Sequence, residues 1–297
     1  MIKKMFLILM TLCSFQSAIA KEYLKVGDIL KLPRDAATKR IAYGKDPLQF
    51  GDLRLPEGKG PFPVVILIHG GCWLSKFANL EIMSPLATAF KKAGIATWNI
   101  EYRPVDNAGG GWPGTFQDVG NGIDYLKNIA SQYHLKLKRV VLVGHSAGGQ
   151  LALWGAARHK LPQDSVLFTP KPLPIHGVID LAGPPNLISI FPLQRICDED
   201  VITEMMGGTP SEVPQRYREA SASELLPLGM KQILITGRDD LVVPPTFGKE
   251  YQRAAKKKGD AVSFIIVDDA AHMEPISPES NMWPYVKKST NKLLGGK

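Results

Sequence analysis

Short, unbroken apolar runs alternate along this chain with longer stretches whose apolar residues recur every three or four positions. The runs are FPVVILI (62–68), IATWNI (95–100), RVVLV (139–143), GVIDL (177–181), QILIT (232–236) and VSFIIV (262–267). Runs of that length predict strands, and FPVVILI and RVVLV suit strands buried in a sheet. Between them, residues 78–93 predict a helix closed by Gly94. Phe116, Val119, Ile123, Leu126 and Ile129 set a helical spacing over 115–133. Residues 147–158, 251–258 and 283–294 predict three more helices. Regular strand–helix alternation implies an α/β fold: a mostly parallel central sheet with helices on both faces. The rhythm breaks over 184–227, rich in Pro, Met and charge, where a small cap-like insertion is expected.

Composition narrows this only slightly. With 297 residues, 44% hydrophobic and 22% charged, the chain falls outside the disordered, fibrous and disulfide-dense classes. The first twenty residues carry Lys3 and Lys4, an apolar run from Met5 to Leu12, and Ala18-Ile19-Ala20. That is the pattern of a secretory signal peptide, too short to span a membrane. Cys13 follows the bulky Leu12, which disfavours a lipidation site. Removing 20 of the 297 residues leaves one domain, 21–297, expected in the periplasm or outside the cell, with no stable membrane insertion. Lys3 and Lys4 leave with the signal, so a net charge of +8 becomes +6. The remaining basic residues form no single stripe, so no nucleic-acid partner is expected. Cys72 and Cys197 remain, either as a disulfide or as two thiols.

Four segments are expected to carry chemistry. Gly144-His145-Ser146-Ala147-Gly148 follows a predicted strand and opens a predicted helix. A G-x-S-x-G turn in that context lifts a serine hydroxyl above a sheet edge and aims the Ala147 amide at developing negative charge. His69-Gly70-Gly71-Cys72-Trp73 also leaves a buried strand, and its paired glycines let backbone amides approach a ligand. Gly71, Cys72 and Ala147 are the expected oxyanion donors. Gly237-Arg238-Asp239-Asp240 ends another strand and His272 follows the last one, so an order of Ser146, Asp240, His272 emerges. Asp240 opens D-x-x-V-P and is favoured to orient the imidazole; Asp239 is its competitor.

The other histidines read as structural: His134 and His159 near helix ends, His176 before a strand, His145 inside the turn. None joins a metal-ligand cluster, so neither metal nor cofactor is expected. Trp73 and Trp112, with the 184–227 segment, are expected to line a substrate pocket. Ordinary core packing is the competing reading for both tryptophans.

With these motifs in place the chain resembles the α/β-hydrolase superfamily. HGGCW and GHSAGG are similar to hormone-sensitive-lipase-like and kynurenine-formamidase-like esterases, and Glu101-Tyr102-Arg103-Pro104 resembles a segment of the same groups. Cys72 and His145 depart from the hormone-sensitive group. The resemblance covers roughly residues 40 to 290 and implies a serine hydrolase that cleaves small carboxylic esters through an acyl-enzyme on Ser146. Arylformamidase or peptidase chemistry on the same triad is an alternative, and a non-catalytic binding protein with this fold is another. Oligomeric state and acyl-chain length are not legible.

Overall fold

Alternate side chains of the central strands enter different cores, so the sheet is covered on both faces. The computed structural model describes residues 22–295, and the expected signal segment, 1–20, lies outside the described residues. Eight strands form one sheet: β1 (Lys39–Ala42), β2 (Phe50–Arg54), β3 (Phe62–Ile68), β4 (Ala96–Ile100), β5 (Leu135–His145), β6 (Gly177–Leu181), β7 (Lys231–Gly237) and β8 (Val262–Val267). Their order is β1-β2-β4-β3-β5-β6-β7-β8. β1 and β2 pair antiparallel, as do β2 and β4, and every later pairing is parallel. Val64, Ile66 and Ile68 enter one core and Val65 and Leu67 the other, as the two-residue period of a strand requires.

Helices α1 (Val26–Lys31), α2 (Ser84–Lys92), α3 (Gly114–Ile129) and α4 (Ala147–Ala157) precede four short or peripheral ones: α5 (Leu187–Ile190), α6 (Val201–Met206), α7 (Pro214–Ala220) and α8 (Pro245–Lys257). The last is α9 (Trp283–Leu294). Phe116, Val119, Ile123 and Leu126 of α3 share a core with Leu151 of α4 and Tyr251 of α8. Leu86 and Phe90 of α2, Ile29 of α1 and Val286 of α9 fill the opposite side. α5, α6 and α7 occupy the connection between β6 and β7, where the cap-like insertion was expected.

Several boundaries differ from the sequence pattern. The expected helix over 78–93 is a 3-10 turn at Leu80–Met83 followed by α2, because Pro85 fits only the first turn of a helix. α8 begins at Pro245, six residues before the apolar spacing becomes visible, in the polar sequence PTFGKE. β1 and β2 have no apolar run at all. Asp52 is buried in β2 and tolerated there because Arg40 of β1 meets it through two hydrogen bonds of 2.7 and 2.9 Å.

Candidate active site

The turn from β5 into α4 is forced by its glycines. A Cβ at Gly144 would stand 1.9 Å from the Gly148 carbonyl oxygen, and one at Gly148 would stand 2.2 Å from that of Ile68. Between them Ser146 takes φ 54° and ψ −121°, outside the regions open to most side chains. Such a conformation costs roughly 1–3 kcal/mol and persists only where packing imposes it. Here the Ser146 amide is held by the Leu181 carbonyl at 2.9 Å, and every residue of α4 is buried.

Asp240 and His272 come to this serine from the ends of β7 and β8. His272 Nε2 lies 2.9 Å from Ser146 Oγ, and His272 Nδ1 lies 2.8 Å from Asp240 Oδ2. The Asp240 side chain is fully buried, and its Oδ1 accepts the Val242 and Val243 amides, each at 2.9 Å. Two amide donors fix the carboxylate while its other oxygen orients the ring. Asp239 turns away and accepts from Tyr23 Oη at 2.6 Å. The neighbouring aspartates that the sequence left in competition are thus separated: Asp240 faces His272.

The donor loop runs through three consecutive left-handed residues, Gly71 (φ 109°), Cys72 (φ 54°) and Trp73 (φ 55°). Gly70 packs so tightly on the serine turn that a Cβ there would come within 3.0 Å of Ser146 Cβ. Among the described residues, the amides of Gly71, Cys72 and Ala147 have no hydrogen-bond acceptor. Unpaired donors beside a nucleophile's hydroxyl are what an oxyanion needs. Ala147 also opens α4, whose dipole favours negative charge at that end.

A cavity of about 30 Å³ adjoins Ser146, Ala147, Cys72 and Trp73, and is closed mainly by apolar residues of the β6–β7 connection, among them Ile190, Leu193, Ile196 and Ile202. Trp73 is buried, and its indole nitrogen donates to Gln150 Oε1 at 3.3 Å. Gln150 in turn donates to the Ala220 carbonyl at 2.8 Å, so donor loop, α4 and α7 are tied together. A disulfide joins Cys72 to Cys197, with Cα atoms 6.2 Å apart, and a Lys76–Glu199 ion pair bridges the same two segments. Trp112 corrects the expectation that it lines this pocket. It lines a separate groove with Val166, Val213 and Arg216, and packs edge-on against Phe116. Its amide is engaged by the Met205 carbonyl at 2.6 Å.

Two contributors escaped the sequence reading. His145 donates from Nε2 to the His272 carbonyl at 2.8 Å. Burial, reinforced by the nearby His272, pushes the His145 ring down to about 3, so it is neutral at ordinary pH. Glu274, two residues past His272, accepts the Ala271 amide at 2.9 Å and the Leu24 amide at 2.8 Å, bracing the His272 loop against the N-terminal segment. Its position so near His272 was the available signal. Among the described residues no group of three or more His, Cys, Asp or Glu is arranged to hold a metal ion, and no helix is long and apolar enough to cross a membrane.

Comparison with known proteins bears on the fold and the family. A probable isoprenylcysteine alpha-carbonyl methylesterase of Arabidopsis thaliana is 24% identical over 80% of this chain and 51% of its own length. The chain thus spans about half the length of that curated relative. A kynurenine formamidase of Meyerozyma guilliermondii is 33% identical over 40% of this chain and 42% of its own length. Among solved structures, a truncated carbohydrate esterase from gut microbiota superposes with a TM-score of 0.73 at 20% identity, covering 88% of this chain and 97% of that one. Esterase B from Lactobacillus rhamnosis superposes with the same score, 0.73, at 17% identity, covering 89% of each chain. These likenesses establish the α/β-hydrolase fold. The family model BD-FAE matches residues 52–254, and the chain belongs to that family of α/β-hydrolases.

Proposed function

We propose that the protein is an exported serine esterase that cleaves small carboxylic esters through an acyl-enzyme on Ser146. The observation that carries this reading is the hydrogen-bonded relay from Ser146 Oγ through His272 to buried Asp240. Ser146 attacks the acyl carbon while His272 Nε2 takes its proton. Asp240 holds the tautomer with Nδ1 protonated and stabilises the imidazolium that forms. The amides of Gly71, Cys72 and Ala147 receive the oxyanion, and each such donor is worth about 3 kcal/mol of transition-state stabilisation. His272 then protonates the leaving alcohol, and water activated by the same ring releases the acid. The apolar cavity of about 30 Å³ beside Ser146 favours short acyl chains. The leader-like pattern of residues 1–20 supports export, and the Cys72–Cys197 disulfide suits an oxidising compartment.

The test is Ser146→Ala assayed on p-nitrophenyl acetate and butyrate. Turnover is expected to fall by several orders of magnitude, and an unchanged rate sinks the assignment. The local likeness to a kynurenine formamidase supports a second reading on the same triad. An N-formyl anilide assayed beside the esters separates the two: preference for the anilide favours the formamidase.

A further inference from the structure

The proposed oxyanion site depends on the direction of one peptide bond, and the histidine that opens the donor loop controls it. His69 is 2% exposed and stacks on Tyr102, with ring centroids 4.3 Å apart. Its Nδ1 lies 2.6 Å from the carbonyl oxygen of Gly70, the next residue in the chain. A carbonyl only accepts, so Nδ1 is the donor. In a planar trans peptide the C=O and the following N–H point in opposite directions. Holding the Gly70 oxygen therefore turns the Gly71 amide away from His69, and the Gly71 N–H is one of the three that have no protein acceptor. Glycine has no Cβ to restrict its backbone, so Gly70 and Gly71 need an external device to fix this plane.

The histidine is itself locked. Its Nε2 lies 2.7 Å from Glu101 Oε1. Glu101 also accepts the Leu80 and Tyr102 amides, each at 3.0 Å. Burial pushes the Glu101 carboxyl up, but His69 and those two amides outweigh it and hold it below its ordinary value. Tyr102 Oη donates to the His69 carbonyl at 3.0 Å. The ring thus has no freedom to release Gly70.

We propose that His69 is a positioning residue whose Nδ1–H fixes the Gly70–Gly71 peptide and so sets the Gly71 amide for the oxyanion. This rests on the reading of Ser146 as the nucleophile. Asparagine places its side-chain N–H₂ where histidine has Nδ1, whereas glutamine reaches the Nε2 position only. His69→Asn is expected to keep kcat on p-nitrophenyl acetate within about fivefold of the parent. His69→Gln is expected to lose about 10²-fold in kcat with little change in KM, the scale of one oxyanion donor. A merely structural role moves both variants alike. A second readout is the ¹⁵N–¹H signal of Gly71 after Ser146 is capped by an alkyl phosphonate. Its amide proton should move downfield in the parent and in His69→Asn, and stay near its free position in His69→Gln. Should His69→Gln fail to fold, the Gly71 signal of the parent carries the test alone: its amide proton should move downfield when Ser146 is capped. Equal loss in Asn and Gln variants, a parent-like Gly71 shift in His69→Gln, or a Gly71 proton unmoved by capping in the parent overturns the proposal. Absence of a phosphonate adduct on Ser146 in the parent overturns instead the reading it rests on, and the proposal with it.

Discussion

His145 Nε2 donates to the main-chain carbonyl of His272 at 2.8 Å, so the residue before Ser146 holds the loop that carries His272. The His145 Nδ1 is buried without a partner, and the ring remains neutral because burial pushes it down to about 3. An unfolded chain protonates this histidine near its ordinary value of 6.5. Between those two values the unfolded state binds more protons, and stability falls as pH falls. Relative to His145→Gln, which keeps the Nε2 donor but cannot titrate, the parent should lose about 1.4 kcal/mol per pH unit from pH 6 to pH 4. Guanidinium unfolding at several pH values measures the difference. Parallel pH profiles would show that His145 is not the group responsible.

Asp240→Asn should preserve the fold and lower kcat by about 10⁴-fold, because an amide favours the wrong imidazole tautomer. Asp239→Asn should change kcat by no more than a fewfold, since Asp239 is directed at Tyr23. Steady-state kinetics of the two variants on one ester decide between the neighbouring carboxylates, and a larger loss at Asp239 would reverse their roles.

Gly148→Ala should cost at least about 3 kcal/mol, at the upper end for overpacking, because its Cβ meets backbone oxygens that cannot move aside. Gly27→Ala, in α1 with nothing within 4 Å, serves as the control and should be neutral or stabilising by up to about 1 kcal/mol. Thermal or denaturant melts of both compare directly; similar midpoints would mean that the turn after Ser146 relaxes.

The Cys72–Cys197 bond links residues 125 apart. Loop-closure entropy for that span gives up to about 5 kcal/mol of stabilisation, with measured bonds more often near 2–4. Cys72→Ser/Cys197→Ser, or the parent kept in reductant, should unfold at correspondingly lower denaturant, and should lose activity earlier than it loses far-UV signal. An unchanged unfolding midpoint in reductant would remove the bond from the stability account.

What was legible in the sequence follows from what burial does to composition. The interior strands β3, β4, β5, β6 and β7 lie in a sheet covered on both faces, so their buried stretches are mainly apolar; β8 closes the far edge and is partly exposed, yet reads as an apolar run too. β1 and β2 sit at the sheet's edge, and buried Asp52 is satisfied by Arg40, a pairing that leaves no periodic trace. The serine turn, the donor loop and His272 were legible because each requires particular residues at a strand's end. Trp112 was misplaced because an aromatic side chain looks the same in a pocket wall and in a groove elsewhere. His69, His145 and Glu274 act through contacts to main-chain atoms of other segments or of the next residue, which residue type alone does not announce.

The disulfide also divides the molecule topologically. It closes a covalent ring from residue 72 to residue 197 that includes β4, β5, β6 and Ser146, while Asp240 and His272 lie on the open chain beyond it. Nucleophile and donor amides therefore stay tethered to one another when the C-terminal strands detach. In a partly opened molecule the serine would keep its stabilising amides and lose its proton acceptor, so inactivation by local opening should begin at the base, and reclosing should restore it without rebuilding the rest of the centre.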